Sequence, residues 1–277
     1  MPIHVDHVVK TKMDSERVNG AGILLFCNHN GNIHFLLARE SFSSKWNLPW
    51  SGFEGGSKSS EDVYETAARE FIEESMGIIP NWNTVDAVLV KLRAGDYFSR
   101  IDLVVENKTK SDMLYTTFMV QIKYEPYLLK QFSNTRKMMR YIHAITKPLP
   151  QSRWTEANTN EWITVMTSNR EKELKMFIKS NPHLFEVDNP CIIHSPTITC
   201  SYEGIRKTLI NKDCLEKDVL MYWPLDDVIH CLRSTTTQRN KIKPFFIPTL
   251  FLAADHLKRC QAGDTLPLGY QNIIECV

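Results

Sequence analysis

The chain of 277 residues carries 33 lysines and arginines against 32 aspartates and glutamates, a formal net charge of +1, and 43% of it is hydrophobic. That length builds its own core without disulfide or metal staples, and the balanced charge excludes binding that rests on bulk positive charge, though not a local basic patch. Seven cysteines, odd in number and without a CxxC pair, read as reduced thiols of an intracellular protein, not as a zinc site or a disulfide framework.

No apolar run approaches the roughly 20 residues of a membrane helix. The opening Met1-Pro2-Ile3-His4-Val5-Asp6-His7 lacks the basic-then-apolar pattern of a secretory signal. A soluble chain with no membrane partner is expected, cytoplasmic or nuclear. Residues 1–17 read as a tail, its His4 and His7 included, ahead of a domain over 18–260, and 261–277 as a second tail.

From Val18 to Ala38 two apolar strands flank the hairpin tip His29-Asn30-Gly31-Asn32. A loop through Trp46-Asn47-Leu48-Pro49-Trp50 leads into a glycine- and serine-rich stretch ending at Ser60. A helix begins near Glu61-Asp62, whose charges suit a helix N-terminus, and stops at Gly77 with Pro80 beyond. Strands are expected over Val85–Leu92, Ser99–Val105 and Tyr115–Ile122. Helices follow over Tyr127–Ile145 and Arg170–Lys179, and residues 182–215 show no strong period. Trp223-Pro224-Leu225-Asp226-Asp227 reads as a loop entering a helix, and Pro248–Cys260 as a closing helix.

The helix after Ser60 carries the chemistry. Glu70, Glu73 and Glu74 stand at i, i+3 and i+4, within an arc of about 100°. Three like charges so close repel unless a cation neutralises them. Carboxylates are hard ligands suited to Mg²⁺, with Mn²⁺ as substitute, and magnesium so bound is the usual partner of a phosphate. Arg69, four residues before Glu73 and beside Glu70, can hold an acidic neighbour in position. The bland alternative is a solvated acidic face. It must also account for the apolar opposite side (Tyr64, Ala68, Phe71, Ile72) and the glycine-rich entry.

These residues resemble the Nudix box, Gly-x5-Glu-x7-Arg-Glu-U-x-Glu-Glu-x-Gly-U with U bulky and apolar: Gly55, Glu61, Arg69, Glu70, Phe71, Glu73 and Glu74 fall in register. Two departures stand out. Ser75-Met76-Gly77 has one residue more before its glycine, and the usual Pro-Gly-Gly ahead of the box is replaced by Pro49-Trp50-Ser51-Gly52-Phe53-Glu54. The flanking strands and an acid-plus-tryptophan element also fit. Glu161-Trp162 and Trp223–Asp227 are the candidates for that element, and the second is favoured because a closing helix follows it.

The resemblance implies an α/β fold, an α/β/α sandwich around a mixed sheet, with 123–215 an elaboration of the core. It implies hydrolysis of a nucleoside diphosphate linked to another moiety, with Mg²⁺ on Glu70, Glu73 and Glu74. Glu61 would support the metal shell, Arg69 would orient, and the proton acceptor would be Glu70 or a residue of a later loop. Gly55 and Trp50 are the expected substrate-binding positions, Trp50 as a pocket wall.

The leaving group is open. Between Lys123 and Lys147, six basic residues face the single acid Glu125, with Tyr124, Tyr127, Tyr141 and His143 interleaved. Such a surface suits a phosphodiester backbone, so capped RNA stands beside a small dinucleotide or nucleotide-sugar substrate, although most such stretches are solvated helix faces. Trp46, Trp154, Trp162 and Trp223 could stack on a base or simply pack in the core. A binding module that has lost catalysis is the reading from another class, and the intact glutamate set argues against it.

Overall fold

The computed structural model describes residues 18–41, 49–105, 113–146, 170–185, 189–194, 209–234, 241–263 and 272–276. Its centre is β1, Gly20–His29, buried along eight consecutive residues as a strand covered on both faces must be. Asn30 and Gly31, both at positive φ, turn the chain into β2, Asn32–Glu40. Beyond the hairpin the two strands part. Their diverging ends are filled by one short segment, in which β3 (Trp50–Ser51) pairs with Ala38 and Arg39 of β2. After Gly52, β4 (Phe53–Gly56) pairs with Gly20–Ile23 of β1.

Helix α1, Val63–Ser75, starts at a capping box. The Asp62 carboxylate accepts from the Tyr64 and Glu65 amides at 2.8 Å, and Glu65 accepts from the Asp62 amide at 2.9 Å. It ends where Met76 takes a left-handed conformation (φ 54°) with Gly77 following at φ 60°, so the extra residue before the glycine changes only the helix exit.

Val85–Arg93 is a helix, α2, not the strand its valines suggest. Thr84 caps it through the Ala87 amide, and Val88 and Leu92 bury one face at helical spacing. Strands β5 (Ser99–Val105) and β6 (Met113–Gln121) are antiparallel to each other, and β6 runs parallel to β1. Helix α3, Tyr127–Thr146, packs Leu128, Phe132, Met139 and Ile142 into the main core. Next come α4 (Arg170–Ser180) and a small ribbon of β7 (Ile192–His194) with β8 (Leu209–Ile210).

The segment before Trp223 is also sheet. β9, Lys217–Pro224, pairs antiparallel along β2 and passes into α5, Leu225–Arg233, while α6 spans Ile247–Gln261. The end of the chain, expected as a tail, contributes β10 (Asn272–Cys276), parallel to β5 at the sheet edge.

The result is an eight-stranded mixed sheet ordered β10-β5-β6-β1-β2-β3, with β4 on β1 and β9 on β2. Alternate residues of β1 enter two cores. Ile23 and Leu25 meet the layer of α1, α2 and α3, while Leu24 and Phe26 meet that of α5 and α6. This is an α/β/α sandwich around a mixed sheet. Among the described residues no helix is long and apolar enough to cross a membrane.

Candidate active site

The segment that fills the gap between β1 and β2 brings Glu54, Gly55 and Gly56 under the acidic face of α1. A Cβ on Gly55 would lie 2.2–2.4 Å from the Glu70 carboxylate, so only a glycine lets that side chain approach the strand so closely. Where α1 faces the strand end, a cavity of about 360 Å³ opens. Glu54, Gly55, Glu70 and Glu73 line one side of it, and Asp213, Glu216, Lys243 and Phe245 come from later segments.

Arg69 organises the α1 side with all of its donors. Nε and Nη2 grip both oxygens of Glu61 at 2.6 and 2.9 Å. Nη1 donates to Glu70 at 2.7 Å and to Glu73 at 2.9 Å, and Nη2 also reaches the Gly56 carbonyl at 2.8 Å. The planar fork makes this a fixed arrangement that a lysine could not reproduce. Asn211 donates to the other Glu73 oxygen at 3.2 Å, and the exposed Lys58 lies 3.8 Å from it.

Glu74 looks elsewhere. It accepts from the Glu54 amide at 2.8 Å and pairs with Lys217 Nζ at 3.1 Å. Lys217 is 0% exposed and also donates to Glu40 and Ser51, both at 2.7 Å. Lys243 Nζ meets Glu40 at 3.0 Å from the cavity side. The stripe of three glutamates is therefore divided: Glu70 and Glu73 border the cavity, while Glu74 sits behind it with a buried cation of its own.

Six carboxylates (Glu40, Glu54, Glu61, Glu70, Glu73, Glu74) share four cations (Lys58, Arg69, Lys217, Lys243) in these contacts. The surplus appears as perturbed protonation. Burial pushes the Glu73 carboxyl up to about 7 against the pull of Arg69, with Glu70 repelling it further. Burial likewise raises Glu54 and Glu70, and takes Glu74 to about 8. Lys217 moves the other way from a usual buried lysine. Burial would lower it, but Glu74 and Glu40 outweigh that and keep it charged. Burial also opposes ionisation of Glu61, yet the Arg69 hydrogen bonds and the Lys58 amide hold it below the ordinary carboxylate range.

A divalent cation suits this donor set. The surplus charge is carried by hard oxygen ligands, and Glu54 Oε1 is buried without a hydrogen-bond partner among the described residues. The carboxylates are turned onto Arg69 and Lys217, and among the described residues no three acidic, histidine or cysteine side chains are already gathered around one point.

Trp50 is not among the residues that line this cavity. It is 8% exposed and packs against Trp223 in the core beneath α5 and α6, with ring centroids 5.6 Å apart, because the β3 pairing turns it to that face. His4, His7, Trp46, Trp154 and the pair Glu161-Trp162 lie outside the described residues, as do the side chains of Tyr141, His143 and Lys147. Arg136 of the basic segment faces inward, donating to the Leu215 and Lys217 carbonyls, whereas Lys130, Lys137 and Arg140 are exposed. Glu54, Lys217, Lys243 and Asn211 escape sequence reasoning. Only Glu54 carried a signal, its place directly before Gly55.

Neither a protein-family model nor a curated protein sequence matches the chain. Among solved structures, a Caenorhabditis elegans Ap4A hydrolase binary complex is similar at 20% identity over 39% of this chain and 68% of that one, with a TM-score of 0.27. The Mycobacterium smegmatis Nudix hydrolase RenU matches at 19% identity over 39% and 63%, with a TM-score of 0.27. The NUDIX domain of Shewanella oneidensis NrtR complexed with ADP ribose matches at 13% identity over 40% and 64%, with a TM-score of 0.26.

Proposed function

We propose that the protein is a Nudix-type hydrolase that cleaves the diphosphate bond of a nucleoside diphosphate linked to another moiety, with Mg²⁺ or Mn²⁺ as cofactor. The observation that carries this is Arg69 holding Glu61, Glu70 and Glu73 together on the wall of a 360 Å³ cavity whose buried acids outnumber their cations.

Glu54, Glu70 and Glu73 would hold the cation, and Glu74, bound to Lys217, would keep the Glu54 backbone in place. Bound there, the cation would neutralise diphosphate oxygens and acidify a water. The chain's own groups supply the rest. Arg69 fixes the Glu70 carboxylate against Gly55, where it can take a proton from water, and Glu216 faces the same space from a later loop. Lys243, on the opposite wall, is a point charge for a phosphate oxygen. The cavity volume falls within the range of about 300–1,000 Å³ typical for small ligands, which favours a dinucleotide or nucleotide-sugar substrate.

Capped RNA is the second reading, favoured by the exposed Lys130, Lys137 and Arg140 of α3. The test is a panel of nucleoside diphosphate compounds and capped RNA incubated with Mg²⁺ or Mn²⁺, with products identified by mass. Cation-dependent cleavage at the diphosphate is expected. Tight binding without turnover would replace the hydrolase with a binding module. If RNA is the substrate, charge reversal at Lys137 and Arg140 slows RNA cleavage and spares small substrates.

A further inference from the structure

Resting on the hydrolase reading, we propose that Lys217 is a resident cation of the site. Its ammonium fills a cation position behind the acidic stripe and, through Glu74 and Glu40, positions two walls of the cavity. Its three protons meet three oxygens. Glu40 Oε1 and Ser51 Oγ accept at 2.7 Å, and Glu74 Oε1 lies 3.1 Å away. Two carboxylates and a hydroxyl closing on one point are the hard donors of a bound ion, and here the ion is a side chain that is 0% exposed. Stability alone does not call for it, since apolar residues of similar volume often serve a buried ion-pair position as well or better.

The backbone aims it there. β9 pairs with β2 in register from Pro224 to Val219 and then slips, so that Lys217 and not Asp218 stands opposite Glu40. A register shift of this kind re-aims a side chain. Arg136 of α3 holds the spot by donating to the Lys217 carbonyl at 2.5 Å. From Nζ two paths lead to the cavity. One runs through Glu74, whose second oxygen accepts from the Glu54 amide at 2.8 Å, to Glu54 on the α1 side. The other runs through Glu40 to Lys243 Nζ, 3.0 Å from it, on the opposite wall. Glu40 and Glu74 are thus matched by Lys217 and Lys243, and neither is left for a second divalent ion. The surplus negative charge stays with Glu54 and with the acids that Arg69 gathers.

Mn²⁺ is counted on the full chain, without nucleotide, from the electron paramagnetic resonance of the free ion. Lys217→Ala keeps Glu40, Ser51 and Glu74 and leaves room for an ion with its waters. It should bind one Mn²⁺ more per chain than wild type. Leu220→Ala, which opens a hole in the core from the same strand, should bind none more. Turnover of Lys217→Ala on the best substrate of the panel should fall about 10- to 100-fold, as for loss of a partner behind a metal ligand. It should recover over the Mn²⁺ range in which the extra ion binds. If Lys217→Ala does not fold alone, Mn²⁺ should fold it, as followed by circular dichroism. Three results overturn the resident cation and leave the hydrolase reading standing: equal counts in wild type and Lys217→Ala, an extra ion in Leu220→Ala as well, or a Lys217→Ala chain that stays unfolded with Mn²⁺. An extra ion that leaves turnover low overturns the positioning role. A wild type that binds no Mn²⁺ overturns the hydrolase reading, while the count in Lys217→Ala still decides on Lys217.

Discussion

Arg69 and Lys217 divide the acidic stripe between two tasks, and the variants on either side should separate them. Glu73 borders the cavity in a crowd of negative charge, so Glu73→Gln removes a repulsive group and leaves Arg69 with Glu61 and Glu70. The variant should melt no earlier than wild type while turnover falls more than about 100-fold, beyond the range for groups that merely support a metal ligand; near-normal turnover would show the site is misplaced. Lys217→Met strips the buried cation from Glu40 and Glu74 instead. It should cost about 3 kcal/mol in urea unfolding, the low end for such a loss because Glu74, near 8, can keep its proton, and an unchanged midpoint would refute that division.

The same crowding sets a pH dependence. Glu73 near 7 and Glu74 near 8 titrate above the ordinary 4.5 of an unfolded glutamate. Between those values the folded chain holds more protons than the unfolded one, so stability falls as pH rises. His256, lowered by burial, adds the opposite slope only where the unfolded imidazole still titrates, around 6.5 at the lower edge of this window. In EDTA the melting temperature should therefore drop from pH 6.5 to 8.5, and Mg²⁺ should restore it at the upper end; a melting temperature that climbs over that window would contradict the charge surplus.

At the scale of elements, the site depends on how near strand β4 comes to helix α1. Gly55 is not at positive φ, so alanine is conformationally acceptable there and restricts the unfolded chain, worth about 0.4–1 kcal/mol. Its methyl group would still push against the far end of Glu70, which must leave its place beside Arg69 to make room. Gly55→Ala should keep the wild-type melting temperature within a few degrees and lose most turnover, measured with the best substrate of the panel. Full turnover would mean that Glu70 works from another position.

Elements also mark where sequence reading succeeds. Helix α1 was legible because cap, apolar face and carboxylate spacing agree along one continuous stretch. Helix α2 was not. Its valines favour a strand locally, and packing of Val88 and Leu92 against the α1 layer overrides that preference. β9 was hidden for a related reason: it opens with Lys217-Asp218, which reads as a surface pair. Only the acids of β2 and α1, distant in sequence, make a buried lysine tolerable at its start.

Over the whole molecule, the cavity draws on positions from Ala21 to Thr249 and on both helical layers. Glu54 and Glu70 reach it through the split between β1 and β2, Asp213 and Glu216 through the turn before β9, and Lys243 and Phe245 through the turn before α6. Such a site exists only in the folded chain, so ligands that fill it bind the native state and not the unfolded one. At one hundred times the dissociation constant, that linkage is worth about 2.7 kcal/mol. A chain of this size gains roughly 2–4 °C per kcal/mol, so saturating Mg²⁺ with AMP should raise the melting temperature by about 5–11 °C. Glu73→Gln should lose most of this shift, since it removes a proposed cation ligand, whereas Lys137→Glu, at an exposed position of α3, should keep it. An equal shift in Glu73→Gln would place the ligand somewhere other than this cavity.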